Sequence, residues 1–181
     1  SVSDNIIDYT DSYSRAIEET SVAIILVNTQ LGDNGYSSEF VKSAITDLAV
    51  NLRKSNRDYF NIILSSTVLP GTIFKELIPL AEKISGRVYG EGFGNVIEDF
   101  RNPEFFVIGS NNNRDYQTTK EIFYGFHENN CKNFRLTLEE TEVAKIALNA
   151  FIVNKITFAN FLGMMCSEMD NVNVHNVTSM I

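Results

Sequence analysis

Two side chains with complementary chemistry, Lys145 and Asn149, are four residues apart in a segment whose pattern predicts a helix. Residues with this spacing share one helical face, so the ammonium and carboxamide groups should lie side by side. Such a pair could stabilise an oxyanion and bind the oxygens of a polar substrate. A solvated lysine next to an ordinary polar residue would show the same spacing, so the pair alone does not establish a site.

Polar residues also follow two predicted strands. The continuous apolar run 22–27 predicts a strand buried on both faces, and Asn28, Thr29 and Gln30 come directly after it. A second predicted strand, residues 61–65, leads into Ser66-Thr67-Val68-Leu69-Pro70-Gly71-Thr72. In open parallel sheets, ligands bind at the carboxyl ends of the strands. Turns commonly have the same composition, so this position is suggestive but not specific.

The second of these segments also precedes a predicted helix that begins at Thr72. The first N–H groups of a helix have no partner within it, so they could bind a ligand, with Thr72 as a candidate cap. Three carboxylates near the start of the last predicted helix, Glu139, Glu140 and Glu142, are expected to complement the helix dipole.

The elements that would position these residues alternate between strand and helix. Further helices are predicted over 39–54 and 114–127, and a third strand over 105–109, whereas residues 86–103 are glycine-rich and not assigned. The helix over 39–54 is predicted to carry an apolar row on one side, formed by Phe40, Val41, Ala44, Ile45, Leu48 and Ala49. The alternation predicts an α/β fold with parallel βαβ units. A long amphipathic helix then follows, over about 138–170. We therefore place a domain boundary between residues 1–135 and residues 136–181.

Charge and composition exclude several classes of function. The net charge of −8 argues against a nucleic-acid partner or an anionic membrane surface. No apolar run approaches the roughly 20 residues of a membrane span, so we expect a cytoplasmic protein. Cys131 and Cys166 are too isolated for a disulfide framework or a metal site, and His127 and His175 have no partners in the sequence.

Several motifs in register make the chain similar to one family. The sequence resembles the UDP-glucose/GDP-mannose 6-dehydrogenase family from residue 21 to residue 181. The segments that carry this resemblance are residues 27–30, 65–72, 95–103, 107–109, 142–150 and 155–160.

The resemblance implies the C-terminal half of a Rossmann-type parallel sheet domain, followed by a long-helix central dimerisation domain. It implies an NAD-dependent, two-step oxidation of the C6 alcohol of a UDP- or GDP-sugar to a carboxylate. In that family the residue matching Thr67 positions a water, and those matching Lys145 and Asn149 stabilise oxyanionic intermediates. Residues matching Val27, Asn28, Thr29, Ser66 and Thr67 contact the cofactor, and the long helix forms a homodimer interface.

The sequence also departs from the family pattern. It contains neither the Gly-rich pyrophosphate loop nor the catalytic cysteine in a Gly-rich loop, and Gln30 replaces a usual proline. The segment around Glu91 is too short to contain the family's Pro-Glu loop, so Glu91 is not assigned as catalytic. We expect a fragment that does not turn over alone.

Two alternatives remain at this stage. A non-catalytic dimerisation module derived from the family would keep the helical surface without binding NAD or nucleotide sugar. A hydroxy-acid dehydrogenase with a Rossmann and a helical domain would explain Lys145 and Asn149, but not the motifs at residues 66–71 and 102–103.

Overall fold

In a computed structural model of the chain, the described residues are 8–32, 35–89, 93–97, 105–126 and 132–180. The contacts divide the chain into two compact units, Ser1–Val143 and Ala144–Ile181. The elements are, in chain order, α1 (Tyr13–Glu19), β1 (Val22–Ile25), β2 (Leu31–Gly32), β3 (Gly35–Tyr36), α2 (Glu39–Lys54), β4 (Asn61–Leu64), a π-helical turn (Ile73–Leu77) that continues into α3 (Ile78–Ser85), β5 (Phe93–Ile97), β6 (Phe105–Ser110), α4 (Asn113–Phe126), β7 (Lys132–Leu136), α5 (Leu138–Ser167) and α6 (Val174–Thr178).

The first unit is built on a five-stranded sheet with the order β1-β4-β5-β6-β7. It has the α/β architecture of the Rossmann type that the sequence predicts, with Val22 paired to Asn61 between the parallel strands β1 and β4. The pairs β4–β5 and β6–β7 are also parallel, whereas β5 and β6 are antiparallel. Only residues 98–104 separate β5 from β6, fewer than the dozen or so that a parallel crossover needs. The sheet is therefore mixed.

The core lies on both faces of β4, whose four residues are all buried. On one face, α2 contributes the apolar row predicted from its periodicity, which includes Val41, Ile45 and Leu48. Phe40, which the sequence predicts in the same row, is instead half exposed at the start of the helix. On the other face, Ile63 packs in a cluster with side chains of β6 and α4, namely Phe106, Ile108, Tyr116 and Phe123.

Strand β1 differs from the prediction that both of its faces are buried. Within the described sheet it is an edge strand, paired only with β4. Ile25 is buried, but Ile24 is 40% exposed and Leu26, just beyond the strand, is 65% exposed. The error has a physical cause, because an apolar run specifies a strand but not which neighbours cover its two faces.

A capping box fixes the start of α5. The Thr137 hydroxyl accepts a hydrogen bond from the Glu140 N–H (3.1 Å), and the Glu140 carboxylate accepts one from the Thr137 N–H (2.8 Å). This reciprocal pair satisfies two N–H groups that the helix itself leaves without partners. The helix begins at Leu138 as predicted and ends at Ser167, three residues short of the predicted end.

In the second unit, α5 is not amphipathic as predicted. Phe151, Ile152 and Val153 are consecutive and all exposed, and consecutive helical residues point about 100° apart. The apolar surface therefore surrounds this part of the helix. Among the described residues, α5 is the one helix long and apolar enough to cross a membrane by length and composition, which is weak evidence when it stands alone.

Candidate functional site

The carboxyl ends of β1 and β4 are joined by one serine side chain. The Val27 N–H donates to the Ser66 hydroxyl oxygen, which in turn donates to the Val27 carbonyl, both at 2.8 Å. Ser66 is 4% exposed, so this exchange is shielded from water. It brings together two of the predicted cofactor-binding positions. The Ser66 hydroxyl is engaged with backbone at this point and acts there as a clamp between the two strand ends.

Residues 65–72, hereafter the tip segment, run from the end of β4 to the helical turn that follows. Thr67 lies within this segment and is half-buried. Its neighbours Ser66 and Val68 are both buried, and Val68 packs into the main core cluster. Thr67 is thus a half-exposed residue between two buried ones. It lies at the carboxyl ends of the strands, where ligands bind in open α/β folds.

The other end of the tip segment is bound by Glu142. Its carboxylate accepts hydrogen bonds from the Gly71 N–H (2.6 Å) and from the Ile73 N–H (2.8 Å). The Ile73 N–H is among the first N–H groups of the predicted helix, which the sequence suggested for a ligand, and a protein carboxylate binds it instead. Thr72, the expected cap, makes no side-chain cap hydrogen bond. Both expectations are corrected, since the capping group is a buried carboxylate from α5.

Gly71 is shaped to fit this contact. Its φ of +88° lies in the left-handed region that residues with a side chain rarely adopt. A Cβ placed there would lie 3.3 Å from Cε of Lys75, which folds over the turn. The backbone conformation is what makes the turn specific for glycine, because the flexible end of Lys75 could move away from a Cβ.

Opposing effects act on the Glu142 carboxyl. Burial raises its pKa and outweighs the two backbone hydrogen bonds, which lower it, so the pKa lies above the ordinary value. Glu139 raises the pKa further and Lys75 lowers it. Glu142 is 1% exposed. The sequence carried a signal for this burial, because Leu138, Thr141 and Glu142 have the i, i+3, i+4 spacing of one helical face.

The first turn of α5 is also packed closely against β6. A Cβ added to Gly109 would lie only 2.3 Å from the Thr141 hydroxyl oxygen and 3.1 Å from the Thr137 carbonyl oxygen. Gly109 therefore permits a close approach between helix and strand that any side chain would prevent. Glu142 consequently projects from a firmly placed helical turn.

An open groove of about 430 Å³ lies beside the end of β1. Val27, Asn28 and Gln30 line one side, so two of the predicted cofactor-binding residues border it. Side chains of α1 and α2 line the rest, both apolar and polar: Tyr13, Phe40, Ser43, Ala44 and Asp47. Apolar walls with a few polar groups are typical of sites for small organic ligands.

Lys145 and Asn149 belong to the second unit, where α5 places them one helical turn apart as the sequence predicts. Lys145 is half-buried and Asn149 is exposed.

Glu91, His127 and Cys131 lie outside the described residues. Among the residues that are described, no group of three or more His, Cys, Asp or Glu side chains could hold a metal ion.

Comparisons with known proteins agree with the sequence motifs. Curated relatives include the UDP-glucose 6-dehydrogenase AglM of Haloferax volcanii, 28% identical over 87% of this chain and 39% of its own length. The GDP-mannose 6-dehydrogenase of Pseudomonas putida is 29% identical over 85% of this chain and 37% of its own length. The chain thus spans about two fifths of the length of these relatives.

Solved structures give the same result. The GDP-mannose dehydrogenase of Pseudomonas aeruginosa, described as a ternary complex, superposes with a TM-score of 0.85 at 26% identity, covering 94% of this chain and 41% of that one. A UDP-glucose dehydrogenase from Pyrobaculum islandicum shares the fold, with a TM-score of 0.79 at 22% identity over 94% of this chain and 40% of that one. The model of the UDP-glucose/GDP-mannose dehydrogenase family, NAD binding domain, matches residues 1–137. The chain therefore belongs to this family.

Proposed function

We propose that this chain forms part of a nucleotide-sugar 6-dehydrogenase that oxidises the C6 alcohol of a UDP- or GDP-sugar to a carboxylate in two NAD-dependent steps. The observation that carries the proposal is the carboxyl edge of the sheet. There, the Ser66 clamp, Thr67 and the groove beside Asn28 lie together in a unit that matches the family's NAD-binding domain. The relatives' names give both UDP- and GDP-sugars, so the base is left open.

The groove fits part of a dinucleotide. A volume of about 430 Å³ is in the range of small-molecule sites, and its walls combine apolar faces with the amides of Asn28 and Gln30. Val27, Asn28, Thr29, Ser66 and Thr67 are the residues proposed to hold NAD. Two NAD molecules, bound one after the other, would supply the oxidising power, because each accepts a single hydride and the oxidation has two steps.

The chain's own polar residues are proposed to act on the substrate. Thr67 would hold a water by its hydroxyl next to the reacting carbon. The Lys145 ammonium and the Asn149 carboxamide would donate hydrogen bonds to oxygens that gain negative charge during oxidation. Preorganised donors of this kind are effective because they are oriented before the charge develops.

The groove assignment is tested by calorimetric titration of the chain with NADH. Ser43→Trp fills the groove from α2, whereas Val50→Trp adds the same side chain at an exposed α2 position that does not line it. We expect the first change to weaken NADH binding at least tenfold and the second to leave it unchanged. A chain that folds but binds no NADH would contradict the proposal and favour the non-catalytic module.

The exposed apolar surface of α5 supports a homodimer through this helix. Exposed apolar area of this extent usually marks an interface. By sedimentation we expect a dimer, and Ile152→Glu should shift it to monomer. Val88→Glu, at a position of the first unit that is 86% exposed, is the matched control and should leave the dimer intact. A wild-type monomer would refute the dimer.

A further inference from the structure

Glu142 has a role that no motif assigns to it. It is a buried carboxylate whose two oxygens accept hydrogen bonds from the backbone N–H groups of Gly71 and Ile73. Burying a charged group costs free energy unless hydrogen bonds compensate for it. Here the buried carboxylate is bonded to the backbone turn that ends the tip segment.

The contact is long-range, which distinguishes it from an ordinary helix cap. A Ser or Asp at the N-terminus of the helix would satisfy the same N–H groups locally. In this chain the acceptor is 71 positions away from Gly71 in sequence and belongs to α5. The hydrogen bonds therefore join the tip segment to another element, in addition to capping a helix.

Thr67 consequently lies in a segment that is bound at both ends. Ser66 exchanges two hydrogen bonds with Val27 at one end, and Glu142 binds Gly71 and Ile73 at the other. The first turn of α5, which contains Glu142, is itself held in place, because Thr141 lies too close to Gly109 for a Cβ to fit between them. The position of the Thr67 backbone thus depends on a carboxylate that has no direct contact with Thr67 among the described hydrogen bonds.

We propose that Glu142 is a positioning residue, whose carboxylate holds the tip segment against the first turn of α5 and thereby sets the location of the Thr67 hydroxyl. The inference rests on the proposed function only for the chemical role of Thr67. Among the described residues, charged groups that act on the Glu142 carboxyl include Glu139 from its own helix and Lys75 from the helical turn after the tip segment.

The test is a pH titration of the isotopically labelled chain by NMR, which follows the amides of Gly71 and Ile73 and the methyl group of Thr67. We expect the three signals to share one midpoint, while the buried methyl group of Thr119 on α4 shows no such step. In Glu142→Gln the step should disappear from all three signals, and amide exchange at Gly71 and Ile73 should become at least about tenfold faster.

Glu139→Gln is the matched control, because it removes one carboxylate from the same helical turn. The shared step should persist in this variant, at a lower midpoint, since the Glu139 charge raises the pKa of Glu142. The proposal is overturned if Gly71 and Ile73 titrate without Thr67, which would make Glu142 a local cap only. It is equally overturned if none of the three follows Glu142.

The wild-type titration decides the matter even if Glu142→Gln fails to fold. The result is also separable from the proposed function. Absence of NADH binding would refute the dehydrogenase proposal while leaving the shared midpoint of Thr67 and Gly71 intact. Loss of the shared midpoint in a chain that still binds NADH would refute only the positioning role.

Discussion

The two units of the chain differ in how far their apolar side chains are buried. In Ser1–Val143, apolar side chains are buried on both faces of β4, and the buried side chains of Ser66 and Glu142 have hydrogen-bond partners. In Ala144–Ile181, large apolar side chains of α5 are exposed, including Phe158 and Phe161. The first unit thus has a buried core of its own, whereas the second displays an exposed apolar surface.

This difference predicts that removal of apolar volume destabilises the first unit far more than the second. Ile63→Ala leaves a cavity at a fully buried position of β4, so we expect a loss of about 2–5 kcal/mol in unfolding free energy. Ile156→Ala truncates a residue that is 55% exposed, and we expect about 0.5 kcal/mol or less for the monomer. Urea denaturation of both variants at low protein concentration measures the contrast. Equal losses would erase the distinction between the units.

Two glycines sharpen the same contrast. Gly109→Ala forces a methyl group to within 2.3 Å of the Thr141 hydroxyl, and we expect a loss of about 1–3 kcal/mol. Gly163→Ala meets no atom within 4 Å, and alanine is the better helix former, so a gain of about 0.5–1 kcal/mol is expected. Opposite shifts in the thermal midpoint are the expected result. A neutral Gly109→Ala would show that α5 does not approach β6 this closely.

Within the first unit, the clamp between the strand ends can be tested alone. Ser66→Ala removes both hydrogen bonds to Val27, and we expect a loss of about 1–2 kcal/mol. Ser43→Ala, at an exposed position of α2, is the control and should change stability by about 0.5 kcal/mol or less. If chemical denaturation gives the same value for both variants, the clamp contributes nothing.

The smallest expected effect is the pH dependence of Glu142. Its pKa in the folded chain is raised by burial, so its contribution to stability is fully present below the unfolded pKa of about 4.3. That contribution is lost as the pH rises through the folded pKa. The difference in unfolding free energy between wild type and Glu142→Gln should therefore decrease from pH 4 to pH 7. A difference that grows with pH would mean that the folded pKa is depressed.

The sequence predicted the elements whose patterns are local. Helix α2 has the predicted bounds because its apolar period is regular and a turn precedes it. Strand β5 was not predicted, since it lies in a glycine-rich stretch with no alternation. The amphipathic assignment of α5 was wrong because its apolar residues surround the helix, including three in succession at Phe151.

The site was predictable only where motifs define it. Val27 and Ser66 were both predicted, but not that one hydroxyl joins them, since their contact spans 39 positions in sequence. The Glu142 contact could not be predicted from local pattern for the same reason. We expected free N–H groups after β4 because the sequence pattern describes the helix start alone. In the folded chain, Glu142 from a distant helix accepts the hydrogen bond of the Ile73 N–H. The roles of Thr67, Lys145 and Asn149 remain predictions.

We propose that the carboxyl edge of the first unit, and not the apolar surface of the second, holds the cofactor. Titration of the ¹⁵N-labelled chain with NADH tests it directly by chemical-shift mapping. We expect saturable shifts of the amides of Val27, Asn28, Ser66 and Thr67, with residues 151–161 unaffected. Shifts confined to residues 151–161, or no saturable shifts at the four amides, would contradict it.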